Sequence, residues 1–325
     1  MPGSPGEPEP DEAAEAGCRP LLFSIAYGMT GSVGDAEDLV QDAFLGMTRA
    51  RQAGTVIASP KAYLTTAVTR LGISYLNSAR VRRETYVGDW LPEPVVVSAG
   101  KPGPAEHAEL ADSLSMAFLV LLEALTPVER AVFMLREVFG YDYPAVARIT
   151  GKTEANCRQI FARARQHIAA GQARESAPAP ARRAEGGELA RRFFTAAEGG
   201  DLGALLAMLA PDVVFHGDGG GKAQAVGKPL RGRQPVLRLL GGLFRRGKFL
   251  GASLRLAWVN GQPGAVTYDA EGRVISVFAL DIADGTVRAI RAVVNPDKLG
   301  HLGPVSDVAR LPGKRLPETR PPGSE

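Results

Sequence analysis

Four sets of residues in this chain of 325 are spaced so that they could do chemistry. The first is basic. Arg158, Arg163, Arg165 and His167 alternate with Ala155, Ile160, Ala164 and Ile168, a spacing that turns the apolar residues to a core and leaves the cations exposed. A short helix from Tyr143 to Ile149, a turn at Gly151 and an N-cap at Thr153 precede them. A helix-turn-helix with a basic second helix carries side chains into a DNA major groove. An ordinary helical hairpin with a solvated basic face has the same pattern.

The second set is acidic. In the stretch Asp35 to Met47, residues Leu39, Val40, Ala43, Phe44 and Met47 form one buried face, and Glu37, Asp38, Gln41 and Asp42 the other. Acids cannot meet phosphate; they suit a basic protein partner, or they are a solvated helix start that favours the helix dipole. The third set is basic and aromatic. Arg70, Arg80, Arg82 and Arg83 lie on a helix from Lys61 to Arg83, with Tyr63, Tyr75 and Tyr86 nearby. Rings that stack on bases and cations that track phosphates suit unstacked DNA; core tyrosines beside a basic surface read the same way.

The fourth set is Asp218-Gly219-Gly220-Gly221-Lys222. It is not a phosphate loop, because His216 stands where the first glycine is needed and Ala223 follows the lysine in place of Ser or Thr. A triple glycine lets another segment approach the backbone closely, so a docking surface is expected, with a flexible hairpin loop as the alternative. His216, Asp218, Asp269 and Asp281 are the candidates for a general base, but sequence shows neither a perturbed pKa nor reach to a substrate. Four histidines offer no evident metal cluster, and no cofactor is implied.

The elements that must position these groups fall into three blocks. Helices are expected from Leu21 to Met29, from Asp35 to Arg51 and from Ser59-Pro60 to Arg83. Thr126-Pro127-Val128-Glu129 is a capping box that opens a helix packing Val128, Ala131, Val132, Leu135, Val138 and Phe139 and ending at Gly140. The last block begins with helices over 188–198 and 201–209. Val213 to His216, a Gly-rich turn and a helix from Gln234 to Arg246 follow. Strands over 253–259, 265–268, 274–282 and 287–294 close it, separated by Asn260-Gly261, Glu271-Gly272 and Asp284-Gly285, which makes the block α+β. The net charge of +3 confines any nucleic-acid surface to local patches. Cys18 and Cys157 are far apart in sequence, which suits a reducing compartment and excludes a disulfide framework. The apolar run from Met116 to Leu125 is too short to span a membrane and contains Glu123.

Taken together, the acidic helix, the basic-aromatic helix, the linker and the helix-turn-helix resemble a bacterial RNA polymerase sigma factor of the extracytoplasmic-function type. Trp90-Leu91-Pro92-Glu93-Pro94, Asp218-Gly-Gly-Gly-Lys222 and Asn295-Pro296-Asp297-Lys298-Leu299 narrow this to the SigJ-like group, whose members carry a fused SnoaL-like domain of the nuclear-transport-factor-2-like fold. The resemblance implies a multidomain chain: two all-α sigma domains, the second with the helix-turn-helix, followed by an α+β, cone-shaped SnoaL-like domain. The expected boundaries are a disordered tail over 1–16, sigma domain 2 over 17–86 and a linker over 87–104. Sigma domain 4 spans 105–173, a second linker 174–185, the SnoaL-like domain 186–302 and a flexible tail 303–325.

The resemblance also distributes roles. Asp35, Glu37, Asp38, Gln41 and Asp42 would grip the largest subunits of core RNA polymerase. Lys61, Tyr63, Arg70, Tyr75, Arg80, Arg82 and Arg83 would capture the −10 promoter element. Thr153, Asn156, Arg158, Gln159, Arg163 and Arg165 would read the −35 element. The Trp90–Pro94, Asp218–Lys222 and Asn295–Leu299 motifs would form an interdomain regulatory contact, with the third domain and its tail acting in place of a separate anti-sigma factor. A cytoplasmic monomer is expected, with no membrane partner and an unknown small ligand in the third domain. Two other classes are carried: a SnoaL-like isomerase or cyclase with a DNA-binding appendage, and a regulator that binds DNA as a dimer, against which the lack of an evident dimerisation coiled coil counts.

Overall fold

The computed structural model describes residues 17–84, 86–98, 114–175, 183–249 and 251–307. The chain divides into two compact units. One comprises Met1–Thr85 with Val95–Ala179; the other comprises Tyr86–Pro94 with Pro180–Glu325. The expected sigma domains thus share one unit, and the segment that holds Trp90 to Pro94 belongs with the C-terminal domain.

In the helical unit, α1 (Arg19–Thr30), α2 (Val33–Gln52) and α3 (Pro60–Glu84) pack on one another. Gly31, left-handed at φ 67°, closes α1, and Ser32 caps α2 by accepting from the Asp35 amide at 3.2 Å. Leu22, Ile25, Tyr27, Val40, Met47, Leu64 and Val68 lie in the same apolar cluster as Val132, Phe133, Met134, Ile149, Cys157, Ile160 and Ile168. The second group comes from α5 (Pro127–Phe133), α6 (Tyr143–Thr150), α7 (Glu154–Glu175) and the turn between α5 and α6, and α4 (Met116–Leu122) adds Leu119 and Leu122 to the same cluster. Thr126 and Glu129 form the expected capping box on α5. The helix was expected to run unbroken to Gly140; instead Met134–Val138 is a π-helical turn. That turn buries Met134 against α1, where a Cβ on Gly28 would stand 2.1 Å from Met134 Cε.

The two halves of this unit also exchange helix caps. Arg70 of α3 donates from Nε to the Ile149 carbonyl at 2.9 Å and from Nη2 to the Arg148 carbonyl at 3.1 Å. Arg130 of α5 donates from Nη1 to the Met29 carbonyl at 2.6 Å and to Glu123 at 2.7 Å. Each guanidinium occupies carbonyls left open at the end of a helix in the other half. On α7 the expected core face needs one correction: Ala155 is exposed and Cys157 is buried. Ala155 stands five residues before Ile160, about 140° round the helix, whereas Cys157 at three residues shares its face.

The α+β unit contains α8 (Arg183–Gly199), α9 (Leu202–Met208), β1 (Leu209–Asp218), β2 (Leu230–Arg231) and α10 (Arg233–Phe249). Then come β3 (Ser253–Val259), β4 (Gln262–Tyr268), β5 (Val274–Ala283) and β6 (Thr286–Val293). These strands lie in the order β3-β4-β5-β6-β1-β2. β3 to β6 form an antiparallel meander, and β1 returns parallel to β6, with Phe215 opposite Ile290 and Asp218 opposite Val293. Phe193, Phe194, Leu205, Val236, Leu240, Phe278 and Ile290 build the core between the helices and one sheet face. The tail was expected to be unstructured from Gly303. Instead Val305 bridges Val274, whose amide donates to the Pro304 carbonyl and whose carbonyl accepts from the Ser306 amide, both at 2.8 Å.

Candidate functional site

Thr153, Asn156, Arg158, Gln159, Arg163 and Arg165 are all exposed on α7, while its reverse face is buried. Thr153 caps the helix by accepting from the Asn156 amide at 3.2 Å. Arg158 reaches Glu154 at 3.2 Å and lies 4.9 Å from the centre of the Tyr143 ring; Arg165 lies 6.0 Å from that of Phe161. Aromatic rings under guanidinium planes limit how the arginines swing without neutralising them. Beyond the Gly151 turn this exposed face is basic at Arg158, Arg163 and Arg165, with Glu154 as its acid.

The acidic set divides. Glu37, Asp38, Gln41 and Asp42 are exposed along α2. Asp35 is half-buried and accepts from the Tyr75 hydroxyl at 2.5 Å. The basic-aromatic set divides too. Lys61 is exposed, Tyr63 and Tyr75 pack against the helical core, and Arg70 is committed to the α6 carbonyls. The side chains of Arg80, Arg82 and Arg83 lie outside the described residues.

A buried polar cluster brings the three remaining motifs together. Strand alternation puts Phe215 and Gly217 on the helix-covered face and His216 and Asp218 on the other. Asp218 is fully buried. Its Oδ1 accepts from the Tyr86 hydroxyl at 2.5 Å, and its Oδ2 accepts from the Leu91 amide at 2.8 Å and Lys298 Nζ at 2.7 Å. Lys298 also donates to the Leu91 carbonyl and stands 4.4 Å from the Trp90 ring centre and 4.8 Å from that of Tyr86. Asn295 donates to the Tyr86 oxygen at 2.9 Å, and its own amide, with that of Val294, donates to the Asp218 carbonyl. Burial, and then the Asp218 carboxylate, push the Tyr86 phenol far above its usual range, so it stays protonated and donating.

The glycines are needed for this approach. Gly220 has φ 58°, and a Cβ there would stand 2.2 Å from Asn295 Nδ2; Gly221 has φ 71°, and its Cβ would meet Val87 at 3.2 Å. A Cβ on Gly219 would strike the Ala223 carbonyl at 2.2 Å. Lys222 pairs with Asp297 at 2.5 Å in the open. Pro92, Pro94 and Leu299 are buried, Glu93 and Pro296 half-buried. Two contacts were not foreseen: His216 Nδ1 meets Asp89 at 2.7 Å, and His301 Nε2 meets the Pro94 carbonyl at 2.9 Å. Tyr86 was read as a nucleic-acid aromatic; its hydroxyl belongs to this cluster. Nothing local in the sequence signals that pairing, because 132 residues separate it from Asp218.

On the opposite sheet face lies a cavity of about 390 Å³, walled by Phe215, Leu239, Leu243, Phe244, Leu254 and Phe278, with Glu198, Gln224, Arg246, Lys248, Ser253, Thr267 and Ser276 as polar groups. Thr267 and Ser276 share a hydroxyl hydrogen bond at 2.6 Å, and Arg246 donates to Gln224 at 3.0 Å. None of His216, Asp218, Asp269 and Asp281 lines it. Asp269 is held by Arg273 at 2.7 Å, and Asp281 by Arg291 and Gln262. A general base must reach its substrate, and these four do not face this space. Among the described residues, no helix is long and apolar enough to cross a membrane.

Comparison with known proteins agrees with this geometry. Three family models match: sigma-70 region 2 over residues 17–82, sigma-70 region 4 over 115–168 and a SnoaL-like domain over 190–295. The chain is 41% identical to the ECF RNA polymerase sigma factor SigJ of Mycobacterium tuberculosis over 288 residues, 86% of this chain and 90% of that one. It is 31% identical to the probable ECF RNA polymerase sigma factor SigI of the same organism, over 90% of this chain and 96% of that one. The crystal structure of M. tuberculosis SigJ matches with a TM-score of 0.70 at 36% identity, covering 89% of this chain and 98% of that chain.

Proposed function

The chain belongs to the extracytoplasmic-function RNA polymerase sigma factors, which direct promoter-specific initiation of transcription and are not enzymes, and we propose how its surfaces divide that work. Glu37, Asp38, Gln41 and Asp42 are the contact with the largest subunits of core polymerase. Thr153, Asn156, Arg158, Gln159, Arg163 and Arg165 meet the −35 duplex. Lys61 to Arg83 meets the −10 element. Arg70, Tyr75 and Asp35 take part only after the internal bonds that engage them are exchanged. The observation that carries this reading is exposure: α2 and α7 each bury one face and leave the other charged and solvent-facing.

The C-terminal domain regulates that activity. Tyr86 stands two residues after the last residue of α3, and the Asp218 cluster fixes the Tyr86–Pro94 segment to the α+β domain. The cavity is the place for a small, largely apolar ligand, with Arg246 and the Thr267–Ser276 hydroxyls to orient it. A ligand there changes activity only by binding one state better than another. The chain acts in the cytoplasm as a monomer, without a membrane partner. Run-off transcription with core polymerase tests the assignment. Glu37→Lys with Asp38→Lys should abolish transcripts while leaving DNA binding by the free chain in place; normal transcript levels would reject the α2 contact. Truncation after Leu302, which removes Pro304 to Ser306, should alter transcript yield; truncation after Asp307 isolates the remaining tail.

A further inference from the structure

Residues 219–268 contain nine of the chain's 38 Lys and Arg and none of its 35 Asp and Glu. The chain as a whole has a net charge of only +3, so this stretch concentrates positive charge that the net-negative remainder only partly offsets. Not all of it is available. Lys222 pairs with Asp297, Arg246 bonds Gln224, and Arg255 lies 4.8 Å from the Tyr268 ring centre. Lys228, Arg231, Arg238, Arg245 and Lys248 are exposed, and no ion pair holds them among the described residues.

The fold arranges these five as a surface. On α10 the exposed positions are Gln234, Arg238, Gly242, Arg245 and Lys248, one stripe along the helix, while Val236, Leu237 and Leu240 are buried beneath it. Arg238 to Lys248 spans about 15 Å of helix. Arg231 stands on β2, the strand that ends the sheet beyond β1 and touches α10, and Lys228 lies in the loop before it. The stripe itself has no aromatic side chain to stack on unpaired bases; Glu198 of α8, exposed, lines a pocket beside Arg245 and Lys248, and the other three cations have no such neighbour in that pocket.

We propose that β2 and the outer stripe of α10 form a second DNA-binding surface, through which the C-terminal domain holds the phosphate backbone of duplex DNA without reading its sequence. Duplex DNA is the polyanion to which a sigma factor is brought, and it carries about one charge per 1.7 Å of axis, dense enough to engage all five cations. Guanidinium forks at Arg231, Arg238 and Arg245 suit phosphate geometry. The surface is separate from the −35 and −10 assignments and can fail without them.

The test uses the full chain, a labelled duplex of scrambled sequence and salt between roughly 50 and 200 mM. The variant Arg238→Gln/Arg245→Gln/Lys248→Gln should lower the slope of log affinity against log salt by about 2 to 3 and weaken low-salt binding by about tenfold or more. Arg238→Lys/Arg245→Lys should keep the slope. The thermal midpoint of both should match the parent, since no buried group changes. Promoter and scrambled duplexes should weaken equally with the Gln variant, whereas Arg163→Gln/Arg165→Gln should erode the preference for promoter. An unchanged slope overturns the proposal. So does a Gln variant that binds DNA normally but loses core polymerase or polyglutamate, which would make the stripe a site for an acidic protein.

Discussion

The exposed face of α7 and the buried Asp218 cluster use the same kinds of side chain to opposite ends. On α7, charged and polar groups face solvent, and Arg158 is restrained by a ring and one exposed acid. Lys298, Tyr86, Asn295 and the Leu91 amide converge around Asp218, which is fully buried. An exposed charge keeps its capacity to bind a partner and adds little to stability. A buried charge has already exchanged its hydration for protein bonds, so its removal disturbs the fold and leaves little for an external ligand. The α7 face is open to a partner from outside, and the Asp218 cluster holds the chain's own segment.

That contrast makes the largest predicted effect a loss of stability. Asp218→Ala leaves the Lys298 ammonium, the Tyr86 hydroxyl and the Leu91 amide without their acceptor. Unfolding by denaturant should show a loss of about 3 to 5 kcal/mol, the range for breaking a buried ion pair. Lys298→Met should cost less than Asp218→Ala, because Asp218 keeps two donors. An Asp218→Ala loss below about 1 kcal/mol would mean that water replaces the cluster and that Asp218 behaves as a surface group.

On α7 the effect should fall on binding alone. Arg163→Ala or Arg165→Ala should weaken binding to a −35 duplex by about 1 to 3 kcal/mol if it contacts a base edge, with stability held within about 0.5 kcal/mol. Anisotropy and thermal melting separate the two. Equal weakening on promoter and scrambled duplex would reassign that arginine to phosphate. Between the extremes stands the Lys222–Asp297 pair, which belongs to the same motifs as Asp218 and Lys298 but is exposed. Lys222→Ala should cost at most about 1 kcal/mol, less as salt rises, showing that burial and not motif membership sets the energy.

Legibility in the sequence followed range. The capping box at Thr126 and Glu129, the αL turn at Gly151 and the Thr153 cap are contacts within a few residues, and local chemistry specified them. The hairpin turns at Asn260-Gly261 and Asp284-Gly285 took the positive φ their residue types suggested. The parallel return of β1 to β6 was hidden, because no turn joins those strands. The same holds for Arg70 and Tyr75, whose types suit nucleic acid but whose partners are Ile149 and Asp35. Composition and spacing tell which side chains can bind; they do not tell which have already been used by another part of the chain.

The smallest effect concerns the strap of residues that follows the last turn. Burial alone would raise the Asp269 carboxyl. The Arg273 amide, the Ser306 hydroxyl and the Arg273 guanidinium outweigh it and hold the group down at about 2, against 3.8 when free. A carboxyl whose pKa is lower in the folded state favours folding above the unfolded value, and that contribution is lost as pH falls through the folded value. The stability difference between the parent chain and Asp269→Asn should therefore be constant above about pH 5, shrink below pH 4 and disappear near pH 2. Denaturant midpoints across that range measure it. Ser306→Ala removes one of the restraining bonds, so its carboxyl should titrate at higher pH than the parent's and its difference should shrink earlier. A difference that stays constant down to pH 2 would mean that Asp269 fastens the Val305–Val274 strap through its shape and not its charge.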